Sequence, residues 1–229
     1  MKNLFNPDSW LMTELSKLGD MVLVSLLFII GSLPIFTITV SYSALYYSVV
    51  KCIRRDAGQA ASEFIRTYKE NFKRGAVIGL ILLPAILILG ADVLLLTNSD
   101  TESAVGQTVL QWKESLANGG TGFITLAVIG LALAVLIFLY SGPVLSRFDM
   151  KVKDIFRLSF AMAIRFIGFS IVLVIIAVLV LLAQWIFIQV PVFLILPALW
   201  CLLSSFITEK ALLAYMPPKE ENPDAWYYR

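Results

Sequence analysis

The sequence contains no histidine. That absence removes histidine-based acid–base catalysis, a Ser-His-Asp hydrolase and any histidine-ligated metal centre. Cysteine is almost as scarce. Cys52 and Cys201 stand far apart with no C-x-x-C spacing, so they read as small apolar fillers or free thiols rather than a redox or metal pair. No G-x-x-x-x-G-K-[ST] loop occurs, which excludes ATP hydrolysis by that route. The amino terminus lacks the basic start, short apolar region and small-residue cleavage site of a secretory signal. Charge is thin throughout: 15% of residues are Asp, Glu, Lys or Arg, against about 25% in average proteins. No enzymatic activity, cofactor, metal or nucleic-acid partner is expected from these residues.

What fills the chain is hydrocarbon. Hydrophobic residues make up 59% of its 229 positions. Several runs of about 20 uncharged residues are long enough to cross ~30 Å of lipid. The fold class expected is all-α, a polytopic transmembrane helical bundle, with the lipid bilayer as its first partner.

Charge punctuates the runs and sets the topology. Residues 21–50 carry no charge, and residues 51–74 then hold seven Lys/Arg against three acids. Residues 75–97 are apolar except for Asp92, and 98–122 hold one Lys and three acids. Residues 123–146 are apolar, 147–165 hold five Lys/Arg against two acids, and 166–208 carry no charge. By the positive-inside rule the 51–74 and 147–165 loops are cytoplasmic and 98–122 lies outside. The chain thus divides into a first half (1–97), an outer loop (98–122), a second half (123–213) and a cytoplasmic tail (214–229). The run 166–208 must cross twice, since one helix of that length would reach about 65 Å. Its turn is expected at Gln189-Val190-Pro191, where proline blocks the preceding helix.

Residues 21–50 pose the same question. As one helix they would span about 45 Å. As two, Leu15–Ser32 and Ile35–Arg54, each meets the length of a span, with a break at Gly31-Ser32-Leu33-Pro34. Two crossings give about six spans with both termini inside; one proline-kinked helix gives five. Ahead of the first span, Asn6-Pro7-Asp8-Ser9 reads as a helix start. Trp10, Leu11, Leu15 and Leu18 then share a face, as in a short interfacial helix running into the span.

The two basic loops look alike. Glu63-Phe64-Ile65-Arg66 matches Asp154-Ile155-Phe156-Arg157, and each loop runs into a new apolar run. In the first, Ala61, Phe64, Ile65, Tyr68 and Phe72 share one helical face. Arg66–Glu70 and Glu70–Arg74 form i,i+4 pairs on the other. Both loops are expected as amphipathic elbow helices on the inner leaflet, and their likeness raises a parallel internal duplication. The alternative is that any cytoplasmic loop gathers Lys and Arg for topology alone.

The stretch LFNPDSWLMTELSKLGDMVLVSLLFIIGSLPIFTITVSYSALYYSVVKCIR, with FIRTYKENFKRG after it, resembles the YesL-type family of bacterial membrane proteins of unknown function. The likeness rests on the Ser-Leu-Pro-Ile-x-Thr-Ile turn, Ala-Leu-Tyr-Tyr and the Tyr68–Lys73 segment, and covers the first 80 residues. Thr39 and Val40 stand where similar proteins often place glycine. The resemblance implies a Gram-positive plasma membrane and a loose link with carbohydrate uptake. It supplies no site residues.

Candidate site residues come from polarity within the apolar runs. Asp92 is the single acid in its run and is a candidate for binding a proton, cation or solute hydroxyl. Thr37, Ser41, Ala44 and Ser48 form a small polar stripe, suited to close helix packing or, with Tyr42, Tyr46 and Tyr47 nearby, to lining a cavity for a sugar-like solute. Gly75–Gly79 and Gly130–Ala134 have the same small-residue spacing. Arg54, Arg55, Arg66, Lys69, Lys73, Arg74, Lys151 and Lys153 are candidates for holding anionic lipid or a partner protein. Three functions follow: an accessory or regulatory subunit of a transport or signalling complex, a small transporter alone or as a homo-oligomer, or a membrane sensor. The first ranks highest.

Overall fold

A computed structural model describes residues 10–97, 120–186 and 194–216. The described residues form helices and turns, with no strand. The helices are α1 (Trp10–Gly31), α2 (Ile38–Ser48), α3 (Ala60–Thr97), α4 (Gly120–Arg147), α5 (Val152–Arg165), α6 (Ile167–Ile186) and α7 (Leu196–Leu213). Four of them, within α3, α4, α6 and α7, are long and apolar enough to cross a membrane. This is the build of a membrane protein. Large apolar side chains stand outward, among them Leu179, Leu182, Trp185 and Ile186 on α6.

The first uncharged run is broken. α1 ends at Gly31, Pro34 is extended (φ −75°, ψ 115°), and a 3-10 turn over Ile35–Thr37 leads into α2. Proline forces the break, because it offers no N–H and pushes Leu33 out of helical geometry. Thr37 closes the turn, its Oγ1 lying 2.7 Å from Gly31 O and 2.6 Å from Pro34 O. α1 continues unbroken from Trp10, so the segment expected at the interface and the apolar run after it are one helix. The start at Asn6–Ser9 lies outside the described residues, as does the turn expected at 189–191. The run 166–208 holds two helices, α6 and most of α7.

α2 is the axle of the bundle. It packs on α1, α3, α4 and α7, and all its residues from Thr39 to Tyr46 are buried. Such a position suits a helix of small and hydroxylated residues, since in lipid it is close packing rather than water exclusion that holds helices together. α3 meets it through glycines. A Cβ at Gly75 would stand 2.8 Å from Val40 Cγ2, and one at Gly79 would collide with the carbonyl oxygen of Phe36. A Cβ at Gly130, by contrast, would meet only Leu89 at 3.6 Å, so the Gly130–Ala134 spacing does not mark a tight crossing. Beyond Ser48, a π-helical turn over Val49–Arg54 carries the chain to Arg55. Asp56 (φ 50°) and Gly58 (φ 94°) then reverse it.

The two elbows differ. The first does not exist as a separate element: α3 runs through Ala60–Thr97 without interruption, about 57 Å long. Ala60, Phe64, Thr67, Asn71, Gly75, Ile78 and Leu82 point inward, whereas Ile65 and Phe72 are exposed. The inward pull of the Gly75 and Gly79 crossing sets the helix rotation, and Thr67 and Asn71 follow at helical spacing. The second elbow, α5, is a distinct amphipathic helix. It ends at Phe166 (φ −111°, ψ 44°) before α6 begins. Ser170 stitches that bend: its Oγ lies 3.0 Å from Ala163 O and 3.0 Å from the Tyr140 hydroxyl.

Both cysteines are free and buried, Cys52 7% and Cys201 0% exposed. A membrane-permeant maleimide is expected to leave both unlabelled in the folded protein and to label both after denaturation, read by intact mass. Fast labelling of Cys201 in the folded protein would contradict its place between α7 and its neighbours.

Candidate functional site at the basic end

Most of the basic residues gather at one end of the bundle, where the end of α2, the start of α3, the end of α4 and the end of α7 meet. Two layers of polar contacts form there.

The inner layer is buried. Arg147, the last residue of α4, donates from Nη2 to Glu209 Oε1 on α7 at 2.7 Å, and the two side chains are 2% and 3% exposed. The same carboxylate oxygen accepts from the Tyr46 hydroxyl of α2 at 3.0 Å, and that hydroxyl lies 2.6 Å from Thr208 Oγ1. Three helices are thereby tied through one carboxylate. Arg54 adds a second tie from the α2 end to α7: Nη1 donates to Ser205 O at 3.0 Å, and the guanidinium sits 4.4 Å over the Phe206 ring. Removing one partner of a buried ion pair leaves an uncompensated charge, so this layer specifies which helices meet and in what register.

The outer layer is an open cleft of about 690 Å³ between the start of α3 and the end of α4. Its charged lining is Arg66, Glu70 and Arg74 from α3, with Arg147 and Asp149 from the α4 side. The Tyr47 ring forms part of the wall, with the Arg66 and Arg147 guanidinium carbons 5.7 and 6.0 Å from its centroid. Arg66 also donates to the Tyr47 hydroxyl at 3.1 Å and to Glu63 Oε2 at 2.6 Å. Arg74 pairs with Asp149, whose side chain is 94% exposed, and reaches Asn71 Oδ1 at 3.2 Å. The expected Glu70–Arg74 pair is thus replaced by contacts across the cleft, while Arg66–Glu70 is present at 3.4 Å. Thr67 lines the cleft at 3% exposure, and its hydroxyl has no hydrogen-bond partner among the described residues.

The residues singled out by sequence fall into separate places. Arg66 and Arg74 line the cleft. Arg54 belongs to the inner layer, and Arg55 is half-buried beside it. Lys69, Lys73, Lys151 and Lys153 are exposed and outside the cleft lining. The polar stripe of α2 faces the packed interior. Ser48 Oγ donates to Ala44 O at 2.8 Å. Ser41 is fully buried against Gly31, where a Cβ would stand 2.8 Å from its Oγ. Tyr42 donates to Leu139 O at 3.0 Å and lines a separate, mostly apolar pocket of about 290 Å³ with Phe28, Leu45 and Trp200. Asp92 is half-buried on α3, thirteen residues or about 20 Å beyond the Gly79 crossing and past the head of α2. Asp92 and the stripe line neither cavity together. Exchanging Asp92 for Asn is therefore expected to leave the thermal unfolding midpoint within about 0.5 kcal/mol of the parent; a larger drop would reveal a structural ion pair.

Arg147 and Glu209 escape sequence reasoning. Arg147 and Glu209 flank uncharged runs and read as boundary charges. They lie 62 residues apart, and only tertiary packing joins them.

A protein family described as a protein of unknown function, DUF624, matches residues 21–93. That stretch runs from within α1 through α2 into α3. It contains Tyr46, Tyr47, Arg54, Arg66 and Arg74 but stops short of Arg147 and Glu209. No curated protein and no solved structure matches the chain.

Proposed function

We infer that this protein is an accessory or regulatory membrane component that works with a transport complex, without a solute path of its own. The observation that carries the reading is the use made of α2. Its hydroxyls, the best material in the sequence for lining a path, face the packed interior: Thr37, Ser43 and Ser48 bond backbone carbonyls, and Thr39 and Ser41 are buried against α3 and α1 without a hydrogen-bond partner among the described residues. Among the described residues a polar cavity sits at the basic end instead. Charge asymmetry supports a plasma-membrane topology of about six crossings, with the basic end and both termini in the cytoplasm. The YesL-type resemblance, which overlaps the stretch matched by the family of unknown function, supports a bacterial host and an association with carbohydrate uptake. A parallel duplication is supported by the order helix, basic turn, helix in α2–α3 and again in α4–α5–α6, although a bend at Phe166 interrupts only the second copy.

The test is purification of the tagged protein from its native membrane in mild detergent, with the co-purifying chains identified by mass spectrometry. A stoichiometric transporter or signalling subunit is expected. A homogeneous monomer or homo-oligomer would overturn the reading in favour of transport by the chain itself.

A further inference from the structure

We propose that the cleft at the basic end binds a phosphate ester, held between Arg66 and Arg74 with the Thr67 hydroxyl beneath. This goes beyond the accessory reading and does not depend on it.

The volume of about 690 Å³ lies within the ~300–1,000 Å³ range of small-ligand sites. The two arginines stand eight residues apart on α3, about 12 Å in rise, and both line the cleft. Both are paired: Arg66 keeps Glu63 at 2.6 Å, and what a dianion can displace is the Glu70 contact of Arg66 and the Asp149 contact of Arg74. Asp149 is nearly fully exposed, so its pair with Arg74 is screened by water and yields little. Glu70 meets Arg66 only at 3.4 Å, and both side chains are at least half exposed. A phosphate offers a guanidinium two parallel charge-assisted hydrogen bonds. Arg147 remains engaged with Glu209 and closes the back of the cleft.

A second feature points to a ligand independently. Thr67 carries a hydroxyl that is buried on the cleft wall without a partner. A buried polar group left unbonded costs about 1–3 kcal/mol, and a hydrophobic residue would be the ordinary occupant of that inward position. The hydroxyl itself has almost no solvent-accessible surface, so a ligand oxygen satisfies it once the neighbouring lining side chains part. Leu145, Phe148 and Met216 complete the lining with apolar surface, which suits the organic body of an ester better than a bare inorganic ion. The ester could belong to a lipid headgroup or to a soluble metabolite; basic pockets at helix ends hold both kinds of phosphate by the same contacts.

The experiment uses the full chain in non-ionic detergent, stripped of lipid. Thermal unfolding is followed against increasing glycerol 3-phosphate in one arm and increasing phosphatidic acid in the other, with glycerol and phosphatidylcholine as matched neutral controls. A ligand that binds the folded state raises the midpoint with concentration and yields a Kd. Stabilisation in the first arm assigns a soluble phosphate ester, and stabilisation in the second alone assigns a lipid headgroup. In the responding arm Arg74→Gln is expected to weaken binding about tenfold and Thr67→Val about fivefold, the loss of a charge-assisted and a single hydrogen bond. Arg157→Gln, which removes an exposed charge on α5 outside the cleft, is expected to leave the Kd unchanged. Thr67→Val keeps the shape and removes only an unpartnered hydroxyl, so it decides the matter even if Arg74→Gln fails to fold. No stabilisation in either arm would overturn the proposal. So would binding indifferent to Thr67→Val and Arg74→Gln, or binding weakened equally by Arg157→Gln.

Discussion

Gly79→Ala is expected to destabilise the protein by about 3 kcal/mol, at the upper end of overpacking effects, and to lower the yield of folded material sharply. The added methyl would collide with the carbonyl oxygen of Phe36, and Thr39 Oγ1 would lie only 3.2 Å away. Backbone cannot rotate aside as a side chain can, so α3 must withdraw from the head of α2. That withdrawal would loosen the crossing at Gly75 and Val40 one turn away. Gly130→Ala is the matched comparison. Its methyl meets only ordinary van der Waals contact, and alanine is favoured over glycine within a helix by about 0.5–1 kcal/mol. Thermal unfolding of both variants in the same detergent is therefore expected to move in opposite directions. A Gly79→Ala variant as stable as the parent would mean that α3 does not pass Phe36 closely.

Glu209→Ala is expected to cost about 3–5 kcal/mol, because Arg147 would keep its charge in a buried place without its carboxylate. The Tyr46 hydroxyl would lose an acceptor at the same time. The informative comparison is the double variant Arg147→Met/Glu209→Leu. Replacing a whole buried ion pair by apolar residues is often neutral or stabilising, so the double variant is expected to recover most of the loss. The coupling energy is read from the cycle of single and double variants. Additive losses would show that Arg147 and Glu209 act separately, and the inner layer would not be the tie between α4 and α7.

Much of the architecture was legible because its causes are local. A lack of charge over the length of a bilayer marks a span wherever it occurs. Pro34 breaks a helix by its own covalent structure, and Gly75 and Gly79 announce a close crossing by what they lack. The inward face of α3 was not legible: Thr67 and Asn71 point inward because the glycine crossing farther along the same rigid helix fixes its roll. The continuity of α3 hid for the same reason: charge pattern marks where lipid begins but not whether a helix bends there.

By itself the sequence determined that the chain is an all-helical membrane protein, that its first apolar run breaks at Pro34, and which segments gather positive charge. These follow from composition, proline and helix length, which act over a few residues at a time. Only the tertiary structure decided that Arg147 and Tyr46 meet on Glu209, that the α2 hydroxyls face the packed interior, and that Arg66, Thr67 and Arg74 line one cleft. Those contacts join helices distant in the chain, and their partners are chosen by the fit of whole helix faces.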